Sequence, residues 1–161
     1  MNVQVRRVDA TDPQVATRIM QLQREALPTD EPRPLEGDLW WLACIDGRSV
    51  GFGAMRILRS TTGPEAYLSR AGVIRAARGR GIQKQLIRAR LRHARRLGVT
   101  VAITDTADNP ASANSLIAEG FRMYTPQRPW ALPRSVYWSR DISHTGGRTL
   151  AIDKPARGRR P

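Results

Sequence analysis

No part of this chain restricts the fold as strongly as Ala71–Leu91, AGVIRAARGRGIQKQLIRARL. An apolar strand ending near Ile74 passes through Gly79-Arg80-Gly81 into a long helix that ends near Gly98. Glycine lets the backbone turn tightly and approach a ligand closely. The first-turn amides of the next helix have no internal acceptors, so they and the helix dipole attract an anion. Arg78, Arg80 and Lys84 add charge at the same place. The junction therefore suits a pyrophosphate. It is not a P-loop, because GxxxxGK followed by Ser or Thr is absent. It is not a dinucleotide fingerprint either, since Lys84 stands where GxGxxG has its last glycine.

Around this junction the chain reads as one mixed α/β domain. Val3, Val5 and Val8 mark a first strand, and Asp12-Pro13 starts a helix whose apolar positions are Val15, Ile19, Leu22 and Ala26. The proline- and acid-rich stretch after Pro28 reads as a loop with room for a short helix. Leu39–Ile45 and Val50–Leu58 flank an Asp46-Gly47 hairpin turn, with Gly51 and Gly53 marking a bulge or close packing. Ser60–Glu65 reads as a turn-rich connection, Tyr67–Ile74 as the next strand and Val99–Thr104 as the strand after the long helix. Asp108-Asn109-Pro110 caps a last helix that Gly120 ends, and Phe121–Tyr124 and Ser135–Ser139 form the final strands. The strand-helix-strand centre implies a right-handed crossover between parallel strands, and the hairpins imply antiparallel neighbours. The expected domain spans residues 1–142, followed by a basic, disordered tail over 143–161.

The formal charge of +13 favours anionic partners. Arg75, Arg78, Arg80, Lys84, Arg88, Arg90, Arg92, Arg95 and Arg96 occur without an intervening acid. For most of them a solvated helix face is the expectation. No stretch is long and apolar enough to span a membrane, and the N-terminus lacks the apolar core of a secretory signal. Cys44, the single cysteine, is expected to be a buried, inert thiol in a cytoplasmic protein. His93 and His144 are isolated, so no metal site is expected. Trp40 and Trp41 point to opposite faces of one strand, so at most one should face the core fully.

Val73–Ile82, V-I-R-A-A-R-G-R-G-I, resembles the "V-x-P-x-x-R-G-x-G-I-G" coenzyme A segment of the GNAT superfamily of N-acetyltransferases. Arg75 replaces the usual proline, and Gln83 replaces the final Gly or Ala while still supplying a backbone amide. Asn109–Phe121, NPASANSLIAEGF, resembles the later "N-x-x-A/S…L-Y-x-x-x-G-F" segment of the same family. The resemblance implies a central mixed sheet of about six to seven strands flanked by helices. It also implies acetyl-CoA as co-substrate. Ala71, Gly72 and Val73 would then offer strand-edge bonds to the pantetheine arm, with the Val73 amide polarising the thioester carbonyl. Arg78, Gly79, Arg80, Gly81, Ile82 and Gln83 would cradle the pyrophosphate, assisted by Lys84, and Asn109 would bond the coenzyme arm or shape a gap between strands.

An acceptor amine must lose a proton before it attacks a thioester. Glu65, Asp105, Glu31 and Glu36 are candidates to take it, and the acidic loop could attract a cationic substrate. The tyrosine that many GNAT enzymes use as general acid is replaced by Leu116, leaving Tyr124 or Tyr137 as substitutes. Trp130 lies in a loop that could border the acceptor site. The implied function is acetyl transfer by direct attack of an amine in a ternary complex, on a small molecule or a protein. Two alternatives stay open: a nucleic-acid- or ribosome-associated protein using the basic helix and tail, and a GNAT-fold protein that binds coenzyme A without catalysis. The chain is expected to be a monomer or a homodimer.

Overall fold

The computed structural model describes residues 2–143. The expected tail from 144 onward, including His144, lies outside the described residues. In order, the elements are β1 (Val3–Val8), α1 (Pro13–Ala26), β2 (Leu39–Ile45), β3 (Arg48–Ser60), β4 (Gly63–Val73), α2 (Ile82–Arg96), β5 (Val101–Thr106), α3 (Pro110–Ala118), β6 (Arg122–Tyr124) and β7 (Val136–Asp141), with a 3₁₀ turn over Arg75–Ala77. The strands form one seven-stranded sheet in the order β1-β2-β3-β4-β5-β7-β6. Only β4 and β5 run parallel, joined by the α2 crossover.

Local chemistry explains the helix ends. Asp12 accepts from the amides of Gln14 and Val15 at the start of α1, and Asn109 accepts from Ser112 at the start of α3. Each is followed by proline at the first helical position, where the missing N–H costs nothing. The loop between α1 and β2 contains no helix. Buried Gln23 pins it, donating to the Arg33 carbonyl and accepting from the Arg33 amide.

Four expectations need correction. The β3–β4 connection is far tighter than a turn-rich stretch over Ser60–Glu65, because the ladder continues to Ser60 opposite Gly63. Strand β5 begins two residues later than the β-branched run suggests, at Val101, where pairing with β4 starts. Trp40 and Trp41 are both buried, 1% and 3% exposed. Helix α1 covers one face of the sheet, where Trp40 packs with Ile19, Leu22 and Phe52. The α2 and α3 side holds Trp41 with Leu86, Leu91 and Leu116, so an interior strand has two dry faces. Arg90, finally, is not on a solvated helix face but fully buried. Its Nε donates to Leu86 and its Nη1 to the carbonyls of Ala54 and Arg70. Burial pushes its pKa down to about 9, still above neutral pH, so it enters the core charged.

Close packing explains the strand glycines. A Cβ on Gly53 would sit 3.0 Å from Arg90 Nε, and one on Gly72 would sit 2.8 Å from Phe52 Cε1 and 2.9 Å from the Cβ of Ala26. Gly72→Ala is therefore expected to destabilise the protein by about 1–3 kcal/mol through overpacking. Urea midpoints compared at equal m-value read this directly; an unchanged midpoint would mean that Phe52 and Ala26 yield freely.

Candidate active site

Strand β4 changes direction at one point. Met55 of β3 faces two residues of β4, Leu68 and Ser69, where the register shifts between Ala54 and Arg56. Such a bulge bends its strand and re-aims the residues beyond it. At the same level β4 parts from β5: their pairing covers only Glu65–Tyr67 against Val101–Ile103. Thr104 closes the fork by donating from its hydroxyl to the Leu68 carbonyl at 2.8 Å. Beyond it the β4 edge is open. The Ile74 amide donates to Val50 of β3, so by strand alternation Ala71 and Val73 turn their main-chain groups toward the gap.

The gap leads to the N-terminus of α2. Gly79 and Gly81 adopt φ of 76° and 73°, the left-handed region where only glycine is unstrained. Nothing lies within 4 Å of where a Cβ on Gly79 would sit, and for Gly81 the nearest atom is Lys84 Cε at 4.0 Å. Helices α1 and α3 have side-chain caps, but α2 has none. Its opening amides are left for an external acceptor. An open cradle of donors flanked by Lys84 fits a pyrophosphate, and the unpaired β4 edge fits a pantetheine arm. Arg78 does a different job from the one its charge suggests. Its guanidinium donates to the carbonyls of Val73 and Ala26, both at 3.0 Å, and ties the end of β4 to the end of α1. Asn109 spends its side-chain oxygen on capping α3.

On the α1 face of the fork, aromatic rings gather around Tyr67. Its ring meets Trp130 edge to face at 5.1 Å, and Trp130 meets Tyr137 at 4.9 Å. The Tyr137 hydroxyl accepts from the Ala131 amide, anchoring the loop that carries Trp130. The Tyr67 hydroxyl donates to Asp105 Oδ1 at 3.1 Å. Burial, and then the Asp105 charge, push the Tyr67 pKa up to about 12, so it stays protonated as a donor at neutral pH. Sequence reasoning overlooked Tyr67; the signal was its place two residues from Glu65 on the same face of β4. Asp105, by extension of the parallel register, lies level with Ser69, at the fork itself.

The other candidate proton carriers surround the fork at different distances. Glu65 lies opposite Val101 in the closed part of the β4–β5 pair. Tyr124 is on the edge strand β6, with β7 between it and β5. Its ring nevertheless reaches back to meet Tyr137 edge to face at 6.3 Å, so it joins the aromatic cluster beside the fork. Burial raises the Tyr124 pKa. In the acidic loop Glu31 and Glu36 have exposed side chains, while Asp38 is engaged by Ser69 and Arg56. Leu116 is core, 5% exposed, so no side chain reaches the fork from that position. Among the described residues no group of His, Cys, Asp or Glu is arranged to hold a metal ion, and no helix is long and apolar enough to cross a membrane.

Residues 11–121 match the model of the acetyltransferase (GNAT) family. The chain belongs to that family. Solved GNAT structures superpose over nearly their whole length. A structure of the NatC complex bound to Gag peptide and CoA matches with a TM-score of 0.71 at 15% identity, covering 88% of this chain and 99% of that one. The ribosomal-protein-S18-alanine N-acetyltransferase of Escherichia coli matches with a TM-score of 0.65 at 18% identity, covering 90% and 97%. A GNAT family acetyltransferase of Elizabethkingia anophelis with acetyl-CoA bound matches with a TM-score of 0.63 at 14% identity, covering 87% and 98%. At these identities the likeness is one of fold. No curated protein sequence matches the chain.

Proposed function

We propose that this GNAT protein is an N-acetyltransferase that moves an acetyl group from acetyl-CoA to an amine bound on the α1 face of the fork. The observation that carries this reading is the continuity of the open β4 edge with the uncapped, glycine-flanked start of α2. Ala71, Gly72 and Val73 would hold the pantetheine arm. The amides from Gly79 to Lys84 would hold the pyrophosphate, with Arg80 and Lys84 supplying charge and Arg78 fixing the turn. Asn109 would help define the far wall. Acetyl-CoA supplies the activated thioester.

Around it, the chain's own groups divide the work. The Asp105 carboxylate, oriented by the Tyr67 hydroxyl, takes the proton from the incoming ammonium. The Val73 amide, on the open edge, is the donor placed for a developing oxyanion. Nitrogen bonds to the acetyl carbon, the carbon–sulfur bond breaks, and the proton the nitrogen sheds on becoming an amide passes to sulfur, so coenzyme A leaves as the thiol. Glu65 and Tyr124 contribute to the field around the acceptor, since Glu65 and Asp105 both act on the Tyr124 hydroxyl. The internal use of Arg78, Arg88, Arg90 and Arg95 favours this reading over nucleic-acid binding, since those guanidiniums bond carbonyls or Glu119 within the fold.

A thermal titration tests the cofactor step. Acetyl-CoA at about 100 times its dissociation constant should stabilise the protein by roughly 2.7 kcal/mol, well above the effect of ATP at equal concentration. Equal responses to every polyanion would sink the reading.

A further inference from the structure

One positive charge lies in the core outside the ion pairs among the described residues. Those pairs are Arg56–Asp38, Arg70–Asp30 and Arg88–Glu119, whereas Arg90 is 2% exposed and belongs to none of them. A well-packed apolar side chain is commonly the more stable occupant of such a place. What the guanidinium adds is direction. Its Nε donates to the Leu86 carbonyl at 3.0 Å, and its Nη1 donates to the carbonyls of Ala54 at 3.1 Å and Arg70 at 3.4 Å. Gly53 makes the room: a Cβ there would stand 3.0 Å from Nε and 3.2 Å from Cζ.

The three carbonyls come from the elements that build the coenzyme site. Leu86 lies one turn into α2, so its bond locks the guanidinium to the helix whose uncapped start faces the pyrophosphate. Ala54 and Arg70 are paired across β3 and β4, at the margin of the bulge that opens the fork. Arg70 leads directly into Ala71, Gly72 and Val73, the open edge. One planar group thus joins the helix that would hold the phosphates to the strand that would hold the thioester. Around it Leu86, Ile87 and Leu91 press α2 onto the sheet. Such apolar contacts are non-directional and allow small sliding. A rigid fork of N–H donors does not.

Building on the acetyltransferase reading, we infer that Arg90 is a positioning residue that sets the offset of α2 along β4, and with it the span between the pyrophosphate cradle and the Val73 amide. The pantetheine arm has a fixed covalent length. Only a narrow range of offsets therefore brings the thioester carbonyl to that amide while the phosphates sit on α2. A slip of about 1 Å leaves each half of the site intact but mismatches the two, at a cost on the order of 100-fold. Loss of Arg90 uncouples the two ends of the coenzyme without destroying either half-site.

Acetyl-CoA and ADP are the probes, titrated calorimetrically into the whole chain; ADP carries the pyrophosphate without the arm. Arg90→Met keeps an unbranched side chain in the core and removes the donors. It should bind ADP within about twofold of the parent and acetyl-CoA about 10- to 100-fold more weakly, as when two linked halves no longer engage together. Infrared difference spectra of acetyl-CoA isotope-labelled at its carbonyl give a second readout. Binding to the parent should lower the carbonyl stretch, and Arg90→Met should lose most of that lowering. Arg90→Lys, which returns a donor to the Ala54 and Arg70 carbonyls, should recover part of both. Gly53→Ala keeps every donor but crowds the guanidinium. It should weaken acetyl-CoA about 3- to 10-fold with ADP unchanged, and it decides the question if Arg90→Met shows no cooperative thermal transition. Parent-like acetyl-CoA affinity and carbonyl stretch in the folded variants overturn the positioning role. So does an equal loss of ADP and acetyl-CoA, the mark of a merely structural charge. Failure of the acetyltransferase reading itself looks different: the parent then binds acetyl-CoA no better than ADP.

Discussion

Gly81→Glu should lower acetyl-CoA affinity by about two orders of magnitude or more while the domain stays folded. Two costs act at that position. The backbone sits at φ of 73°, where a side chain costs about 1–2 kcal/mol of stability. The new carboxylate also stands at the mouth of the uncapped α2 amides. At about 5 Å from a phosphate oxygen and an effective dielectric near 20, the repulsion is roughly 3 kcal/mol, or more than 100-fold in affinity. Gly98→Glu is the matching control. It has φ of 77° and open space around it, so it carries the same strain and charge at the other end of α2, about 22 Å away along the helix. Isothermal titration should show near-normal binding in the control and almost none in Gly81→Glu. Equal binding in both would remove the loop from the coenzyme site.

Asp105→Asn should lower kcat by about 10²–10⁴-fold, the usual worth of a positioned general base, with little change in thermal midpoint. The amide keeps an oxygen for the Tyr67 hydroxyl and nearly the same volume, so the fork loses a base without losing its shape. The pH profile should change as well. Without an internal base the reaction depends on acceptor already deprotonated in solution. The variant's kcat/KM should then climb about tenfold per pH unit below the amine pKa. Tyr67 does not replace the lost base, because burial, the largest cause of its raised pKa, persists in the variant and keeps the proton on its hydroxyl. A change of less than threefold would move the proton acceptor to Glu65 or to a water chain.

Much of this molecule was legible along the chain because it depends on local chemistry. Asp12-Pro13 and Asn109-Pro110 start helices through contacts two or three residues away. Gly79 and Gly81 mark the turn because no other residue enters that conformation without strain. The pocket for the acceptor was not legible. Tyr67 and Asp105 are 38 residues apart, and Trp130 comes from a loop that the Tyr137 hydroxyl anchors. Arg90 shows the same limit. In sequence it is one of a run of basic residues, and only the carbonyls of β3 and β4 beneath α2 give it a place in the core.

The sequence by itself determined where helices begin, where the backbone needs glycine and that an anion belongs at the start of α2. Those features arise from short-range hydrogen bonds, φ preferences and the unpaired amides of a helix end. Only the tertiary structure decided that β4 and β5 separate at Leu68 and Thr104, and that both faces of β2 are buried. It alone decided that the Tyr67 hydroxyl meets Asp105 across the fork. The physical reason is that these depend on strand register and helix packing across the sheet, where a shift of one residue turns every side chain to the other face.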